Sequence, residues 1–403
     1  MNEITLGMIL EARERLKPVV RKTDLILSRI LGQMVGTEVY LKAECLQHTG
    51  SFKVRGAYNM ISQLTDEQKK AGVIASSAGN HAQGVALAAQ KFGVKATIVM
   101  PAGAPLAKVA ATRELGAEVV LHGAVYDDAF NKAMEIQQQT GAVFVHPFND
   151  PLVIAGQGSV GVEILDKLPD VNQVVVPIGG GGLISGVAIA IKKLRPDVKI
   201  IGVQASGAPS MAQSLAEGHP IQLDSANTIA DGIAVKKPGD LTYEIVRQYV
   251  DEIVTVDEDE IASAILTLLE KGKIVAEGAG AVSVAALMHG KFKPEGKVCC
   301  IVSGGNIDVN TLQRIVDKGL AKSGRLAKIS VMLQDRPGAL TGLLGIIAEH
   351  GANVMSIQHD RVDKHGALNT AIVELTIETH NREHLEKVLS ALADCGYHTL
   401  DRE

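Results

Sequence analysis

Val174-Val175-Val176-Pro177-Ile178-Gly179-Gly180-Gly181-Gly182-Leu183 decides how the chain is read. The first five residues are an apolar run of the kind found in fully buried strands. An apolar helix is expected over 183–194. Four glycines between a buried strand and a buried helix let the backbone fold tightly and aim several N–H groups at one anion. The positive end of the helix dipole adds to that field. Gly179, Gly180, Gly181, Gly182 and Leu183 therefore read as a phosphate cradle. No Gly-Lys-Ser/Thr follows, and there is no GxGxxG with an acidic residue about 20 positions on, so neither a Walker loop nor a dinucleotide fingerprint is present.

The same strand-to-helix rhythm extends on both sides. Strands are expected near 39–44, 72–76, 94–100, 117–121, 143–145, 198–204 and 297–302. Helices are expected between them, among them 81–91, 106–115, 127–139, 154–168, 257–270 and 279–289. Short apolar strands alternating with helices define an α/β fold with doubly wound parallel sheets. The 403 residues are 46% hydrophobic and 21% charged, with only 3% aromatic and no Trp, so the core must be built from aliphatic side chains. A net charge of -5 gives no reason to expect nucleic acid or an anionic membrane as partner. No run of 18 apolar residues suggests a membrane span. The start, Met1-Asn2-Glu3-Ile4, lacks a basic segment leading into an apolar one, so a cytoplasmic protein is expected. Cys45, Cys299, Cys300 and Cys395 form no CxxC pair, which points away from a zinc site or a disulfide framework.

Three further stretches carry chemistry. In Thr49-Gly50-Ser51-Phe52-Lys53-Val54-Arg55-Gly56-Ala57 a lysine follows an aromatic where a small-residue turn becomes a helix. Poor solvation and a helix N-terminus both favour its neutral amine, which can form a Schiff base; taken alone, the stretch reads better as a surface lysine opening an amphipathic helix, and the other motifs reverse that preference. Ser76-Ser77-Ala78-Gly79-Asn80-His81 is a second strand-to-helix turn, suited to a carboxylate or simply an N-cap. Ser303-Gly304-Gly305-Asn306 ends the last strand of the sheet, where open α/β sheets bind ligands. Together these supply an amine, a phosphate cradle, a carboxylate turn and a polar group at a strand end, the set that pyridoxal 5'-phosphate needs to act on an amino acid.

Residues 1–320 resemble the fold-type II pyridoxal-phosphate enzymes, the tryptophan synthase β-like group, and within them the threonine/serine dehydratases. The resemblance rests on the three stretches above, on the glycine cradle, on Gly156-Gln157-Gly158 and on Ala230-Asp231-Gly232-Ile233-Ala234-Val235. It implies that Lys53 carries the cofactor as a Schiff base and later acts as the base. It implies that Phe52 packs near the ring, Asn80 bonds the ring hydroxyl, Ser303 faces the pyridine nitrogen and residues 179–183 hold the phosphate. The turn of Ser76, Ser77, Ala78, Gly79, Asn80 and His81 would take the substrate carboxylate. A smaller subdomain, roughly 40–145, is expected to be inserted in the larger one.

Beyond a polar linker at 321–325, residues 326–403 change style. Strand-like segments at 326–333, 353–359, 367–378 and 397–400, a turn at Asp363-Lys364-His365-Gly366, and helices following Leu340 and over 381–392 make a ferredoxin-like β-α-β-β-α-β unit. Asp335-Arg336-Pro337-Gly338-Ala339-Leu340 makes it similar to an ACT domain, a regulatory module. That resemblance implies that such domains pair between subunits and bind an amino-acid effector at the interface near Asp335, Pro337, Gly338, Ala339, Leu340 and Asn353, and it implies a homodimer or homotetramer.

Two positions separate the subfamilies. Serine racemases carry a serine where this chain has Ala78, so elimination is expected over racemisation. Many relatives hold a divalent cation with a Glu and an Asp where this chain has Gln204 and Ser210, so no metal is expected. The resulting expectation is deamination of L-threonine to 2-oxobutanoate and ammonia, with L-serine to pyruvate as side activity. The alternatives are a serine racemase or hydroxyaspartate dehydratase on the same fold, and a non-catalytic amino-acid sensor.

Overall fold

The computed structural model describes residues 4–361 and 369–400. The expected turn at Asp363-Lys364-His365-Gly366 lies outside the described residues. The chain divides into two compact units, Met1–Ile307 and Asp308–Glu403.

In chain order the strands of the first unit are β1 (Leu25–Leu27), β2 (Val39–Ala43), β3 (Val73–Ser76), β4 (Ala96–Met100), β5 (Glu118–Leu121), β6 (Val143–Phe144), β7 (Gln173–Pro177), β8 (Lys199–Ala205), β9 (Glu252–Val256) and β10 (Val298–Val302). They form two sheets. The larger has the order β1-β2-β10-β7-β8-β9 and the smaller β5-β4-β3-β6. All pairs are parallel except β1 with β2. β2 lies within the larger sheet, in register with β10 from Val39↔Val298 to Ala43↔Val302. The smaller sheet is thus inserted after β2 and before β7.

The core follows the composition. β7 and β10 are buried along their whole length, as expected of parallel strands covered on both faces. Cys299 and Cys300 sit inside β10 as free, fully buried thiols. The helices Pro151–Lys167 and Gly182–Leu194 cross so closely that a Cβ on Gly186 would run into Ile154 O and the Gly158 backbone. The first of these helices starts where the sequence dictates: Asp150 Oδ1 accepts from Leu152 N and Val153 N, and Pro151 follows it. No helix among the described residues is long and apolar enough to cross a membrane.

Sequence pattern did not mark β9 or the helix Asp240–Tyr249 before it. β9 is an edge strand and mostly half-buried, and its short apolar run is flanked by Asp251, Glu252 and Asp257.

The second unit opens with the helix Val309–Lys322, which occupies the start of the stretch expected as a linker. A three-stranded antiparallel sheet follows, with β11 (Leu326–Gln334), β12 (Asn353–Asp360) and β13 (Thr370–Glu378) in the order β11-β13-β12. The helices Ala339–Glu349 and Arg382–Asp394 complete it, with Leu343, Ile347, Val388 and Leu392 fully buried. The expected last strand at 397–400 is reduced to one bridge, Val331 to Thr399, and a bond from Leu400 N to Ser330 O.

One cluster ties the first unit together. Arg55, wholly buried in the helix Lys53–Ser62, donates from Nε and Nη2 to Glu44 at 2.8 and 2.9 Å, and from Nη1 and Nη2 to Glu163 at 2.8 and 3.0 Å. Lys42 Nζ donates to Glu163 Oε2 at 2.6 Å, and Thr23 Oγ1 to Glu44 Oε1 at 2.6 Å. Two cations and two carboxylates balance. Burial alone would raise the Glu44 carboxyl; Arg55 and Lys42 bring it below its ordinary value. Removing one partner leaves buried charge without compensation. Arg55→Met should therefore lower the unfolding free energy by about 3–5 kcal/mol, read as a fall in the urea midpoint at constant slope.

Candidate active site

The chemistry-bearing turns gather at the C-terminal ends of β3, β7 and β10. The Lys53 turn is stitched to the end of β10. Ser51 bridges to Gly304, Phe52 N donates to Ser303 O at 3.2 Å and Gly305 N donates to Gly50 O at 2.9 Å. Lys53 is the first residue of its helix. It is half-buried, its ammonium 2.9 Å from Pro147 O and 5.3 Å from the centre of the buried Phe52 ring. Desolvation pushes its pKa down to about 8, against the pull of Glu277. Helix Asn80–Phe92 packs onto this turn, and a Cβ on Gly84 would stand 3.0 Å from the Lys53 carbonyl carbon.

The Ser76–His81 turn is set by its own bonds. Ser77 N donates to Val99 O at 3.2 Å, and Gly79 N donates to Ser77 Oγ at 3.2 Å. The N–H groups of Ala78, Asn80 and His81 find no partner among the described residues, so they are available to an anion at the helix start. The His81 ring takes no part in that. It is buried, and its Nε2 lies 2.8 Å from Val145 O. A carbonyl only accepts, so Nε2 carries the hydrogen. Desolvation and the nearby Lys53 push the imidazole down to about 3, and it stays neutral.

Asn80 is held on two sides. Its Oδ1 accepts from Asn306 Nδ2 at 2.7 Å, and its Nδ2 donates to Glu277 Oε1 at 2.6 Å. The second Nδ2 hydrogen is left for a ligand oxygen. Glu277 was not foreseen. Burial and the neighbouring charge of Asp231 push its carboxyl up to about 7, although the Asn80 bond, Lys108 and Lys53 act the other way. The sequence offered only an acid directly before the small-residue helix Gly278–Met288, with nothing to mark it as buried. Ser303, nearly fully buried, donates from Oγ to Ala279 O at 3.2 Å.

The glycine turn has the form of an anion cradle. Gly181 adopts φ +94°, a left-handed conformation that turns the chain into the helix Gly182–Leu194. The N–H groups of residues 179–183 have no partner among the described residues. Thr242 Oγ1 steadies the turn by donating to Gly180 O at 2.6 Å. There is no room for side chains: a Cβ on Gly180 would overlap the Phe148 ring, and one on Gly182 would stand 2.8 Å from Phe148 Cβ. Phe148 follows Pro147, whose carbonyl meets Lys53, so one short segment touches both the amine and the cradle. Sequence reasoning gave it no role. The cradle, the desolvated lysine and the free N–H turn fit a phosphorylated aldehyde that binds an amino acid.

Gln204 is fully buried, its Nε2 3.3 Å from Ala208 O and its Oε1 accepting from Ala212 N at 2.9 Å. In the second unit the expected effector residues do not meet within one chain. Asp335 follows Gln334, which pairs with Thr370, whereas Asn353 pairs with Glu378 at the other end of β13. At about 3.4 Å per residue that separation is roughly 27 Å. Gly338, at φ +89°, caps the helix Ala339–Glu349, and Asp335 pairs with Arg361 at 3.1 Å.

A lysine able to form a Schiff base, linked through the Pro147–Phe148 segment to an anion cradle on an α/β scaffold, defines a pyridoxal-phosphate enzyme. The chain belongs to the pyridoxal-phosphate-dependent enzyme family, whose model matches residues 16–304, and an ACT domain model matches residues 327–396. It is 58% identical over 395 residues to the L-threonine ammonia-lyase of Thermotoga maritima, covering 98% of each chain. It is 49% identical to that of Geobacter sulfurreducens over 391 residues, 97% of each. Among solved structures, maize serine racemase matches at TM-score 0.75 and 40% identity, over 79% of this chain and 98% of that one. The processed threonine deaminase isoform 2 of Solanum lycopersicum matches at TM-score 0.74 and 42% identity, over 77% and 87%.

With a pKa near 8, about one Lys53 in ten is neutral at pH 7, against a few in ten thousand for an ordinary lysine. The rate at which apoprotein takes up pyridoxal phosphate should therefore rise with pH to a midpoint near 8. Stopped-flow absorbance would read it, and a midpoint above 10 would contradict the desolvated site.

Proposed function

We propose that the protein is a threonine ammonia-lyase that converts L-threonine to 2-oxobutanoate and ammonia. L-Serine gives pyruvate as a lesser reaction, and an amino-acid effector acts at the ACT domain. The observation that carries this reading is the placement of Lys53, whose lowered pKa supplies a neutral amine beside the free N–H turn of residues 76–81. The cofactor, held by the cradle, provides the electron sink for the charge left at the substrate Cα.

The residues of the chain do the rest. The N–H groups of Ala78, Asn80 and His81 hold the substrate carboxylate and so orient the Cα–H bond. Lys53 takes that proton. The Ser303 hydroxyl, turned from Ala279 O, would face the ring nitrogen without placing a proton on it as a carboxylate would, which would favour prompt loss of the β-hydroxyl, leaving as water, over return of the proton to Cα. The remaining C–N unit takes up water to give 2-oxobutanoate and ammonia. Serine follows the same route, because one methyl in a pocket is worth only about 1–3 kcal/mol. The neutral Gln204 and the hydroxyl of Ser210 suit no hard cation. The separation of Asn353 from residues 335–340 suits an effector site completed by a second copy of the chain, in a homodimer or homotetramer.

Release of 2-oxo acid from L-threonine and L-serine, with and without L-isoleucine, tests the assignment. Turnover should be lost in Lys53→Ala that still binds cofactor; retained turnover would refute it. Slowing by isoleucine would identify the effector, and indifference would direct the search to another amino acid.

The likeness to maize serine racemase keeps a second reading in view, and Ala78 argues against it. With no hydroxyl there, the face opposite Lys53 lacks a proton donor at that position. Chiral chromatography should find little D-serine from L-serine in the native protein. Ala78→Ser should raise the ratio of racemisation to elimination.

A further inference from the structure

Gly156-Gln157-Gly158 belongs to the motif set of the chain, yet nothing in the reaction described above uses it. Gln157 is 1% exposed, in the helix Pro151–Lys167. Neither Nε2 nor Oε1 has a hydrogen-bond partner among the described residues. A primary amide has two donors and an acceptor, and leaving all of them dry is among the costliest states of a buried neutral side chain. Most buried polar groups are paired, so this amide calls for a partner that the described residues do not supply.

Its position says what that partner is. Nε2 lies 3.0 Å from the point where a Cβ on Gly56 would stand, in the first turn of the helix that begins at Lys53. Oε1 lies 2.8 Å from the corresponding point on Gly182, the first residue of the cradle helix. The amide is therefore wedged between the N-terminal ends of the two helices that present the amine and the cradle. Both glycines are needed for that access. Both helix ends carry positive field, and the N–H groups of residues 179–183 have no partner among the described residues. The end beside Gly182 is Oε1; with neither end bonded to a described residue, no hydrogen bond fixes the rotation, and a half-turn of the near-isosteric amide brings its NH2 end to the cradle.

We propose that Gln157 is a further ligand of the cofactor phosphate, its amide N–H donating to a phosphate oxygen seated among residues 179–183. A phosphate dianion is an acceptor on every free oxygen, so only the NH2 end can meet it, and the bond is charge-assisted. The proposal rests on the cradle reading of residues 179–183. It adds a side-chain donor to what was otherwise a backbone site, and it makes the helix that carries Gln157 part of the cofactor site.

The test compares two aldehydes. Apoprotein is titrated with pyridoxal phosphate and with pyridoxal, which lacks the phosphate, and the visible Schiff-base band is followed. Native protein, Gln157→Leu and Gln157→Glu are used, with melting curves as the check on folding. In Gln157→Leu the dissociation constant for pyridoxal phosphate should rise by about tenfold, the loss of one bond to a charged group, with that for pyridoxal unchanged. Gln157→Glu keeps the shape and places a carboxylate against the phosphate, so it should weaken pyridoxal phosphate further and again spare pyridoxal. The 31P resonance of the bound cofactor should shift in both variants. Equal weakening of the two aldehydes, or an unchanged preference with an unshifted resonance, would overturn the proposal and leave Gln157 bonded to a buried water. A native protein that forms no band with either aldehyde would remove the cofactor reading, and this proposal with it.

Discussion

The buried charge cluster beneath Lys53 is the constraint on which the rest depends. A reactive lysine works only if its backbone is held while its side chain is free. Arg55, two residues on, is gripped by Glu44 after β2 and by Glu163 in the helix Pro151–Lys167. Forked bonds of this kind fix rotation as well as distance. Such a cluster is a poor source of net stability, because desolvation offsets most of its attraction. Its value is directional. It sets where the Lys53 helix begins, which is where the amine emerges.

Around that fixed point the first unit repeats one device. A parallel strand ends, the chain turns through small residues, and a helix starts with N–H groups to spare. At β3 the spare groups suit a carboxylate, and at β7 a phosphate. The turns differ in what surrounds them. Phe148 closes over the glycines of one, and Asn80, Asn306 and Glu277 form a bonded row beside the other. Specificity on this scaffold comes from those surroundings, since the helix ends themselves attract any anion.

This division explains what the sequence reveals and what it hides. Strand, glycine turn and helix are local events, so the cradle, the Ser76–His81 turn and the Lys53 turn are legible from residue order alone. The ACT unit is legible for the same reason, through its alternation and its Pro337-Gly338 turn. Glu277 is hidden because its importance is a contact with Asn80, almost two hundred positions away. The reading of His81 shows the converse: its place in the turn is local, but the direction of its ring depends on Val145 O, on another strand end. The separation of Asn353 from residues 335–340 depends on strand register, which no pattern in either segment encodes. β9 escaped because an edge strand needs apolar residues on only part of its surface.

The register of β2 against β10 carries a consequence for how the molecule is made. Val39 lies beside Val298, 259 positions later. During synthesis the strand that leads to Lys53 leaves the ribosome without its central neighbour, and the end of β10 that Phe52 leans on is among the last parts of the first unit to appear. The smaller sheet, whose strands are close in sequence, can assemble while the larger one waits. Such long-range pairing is slow to form and exposes unpaired strand edges meanwhile. On the proposed role of Lys53, capture of the cofactor would then be a late event in the life of the nascent chain.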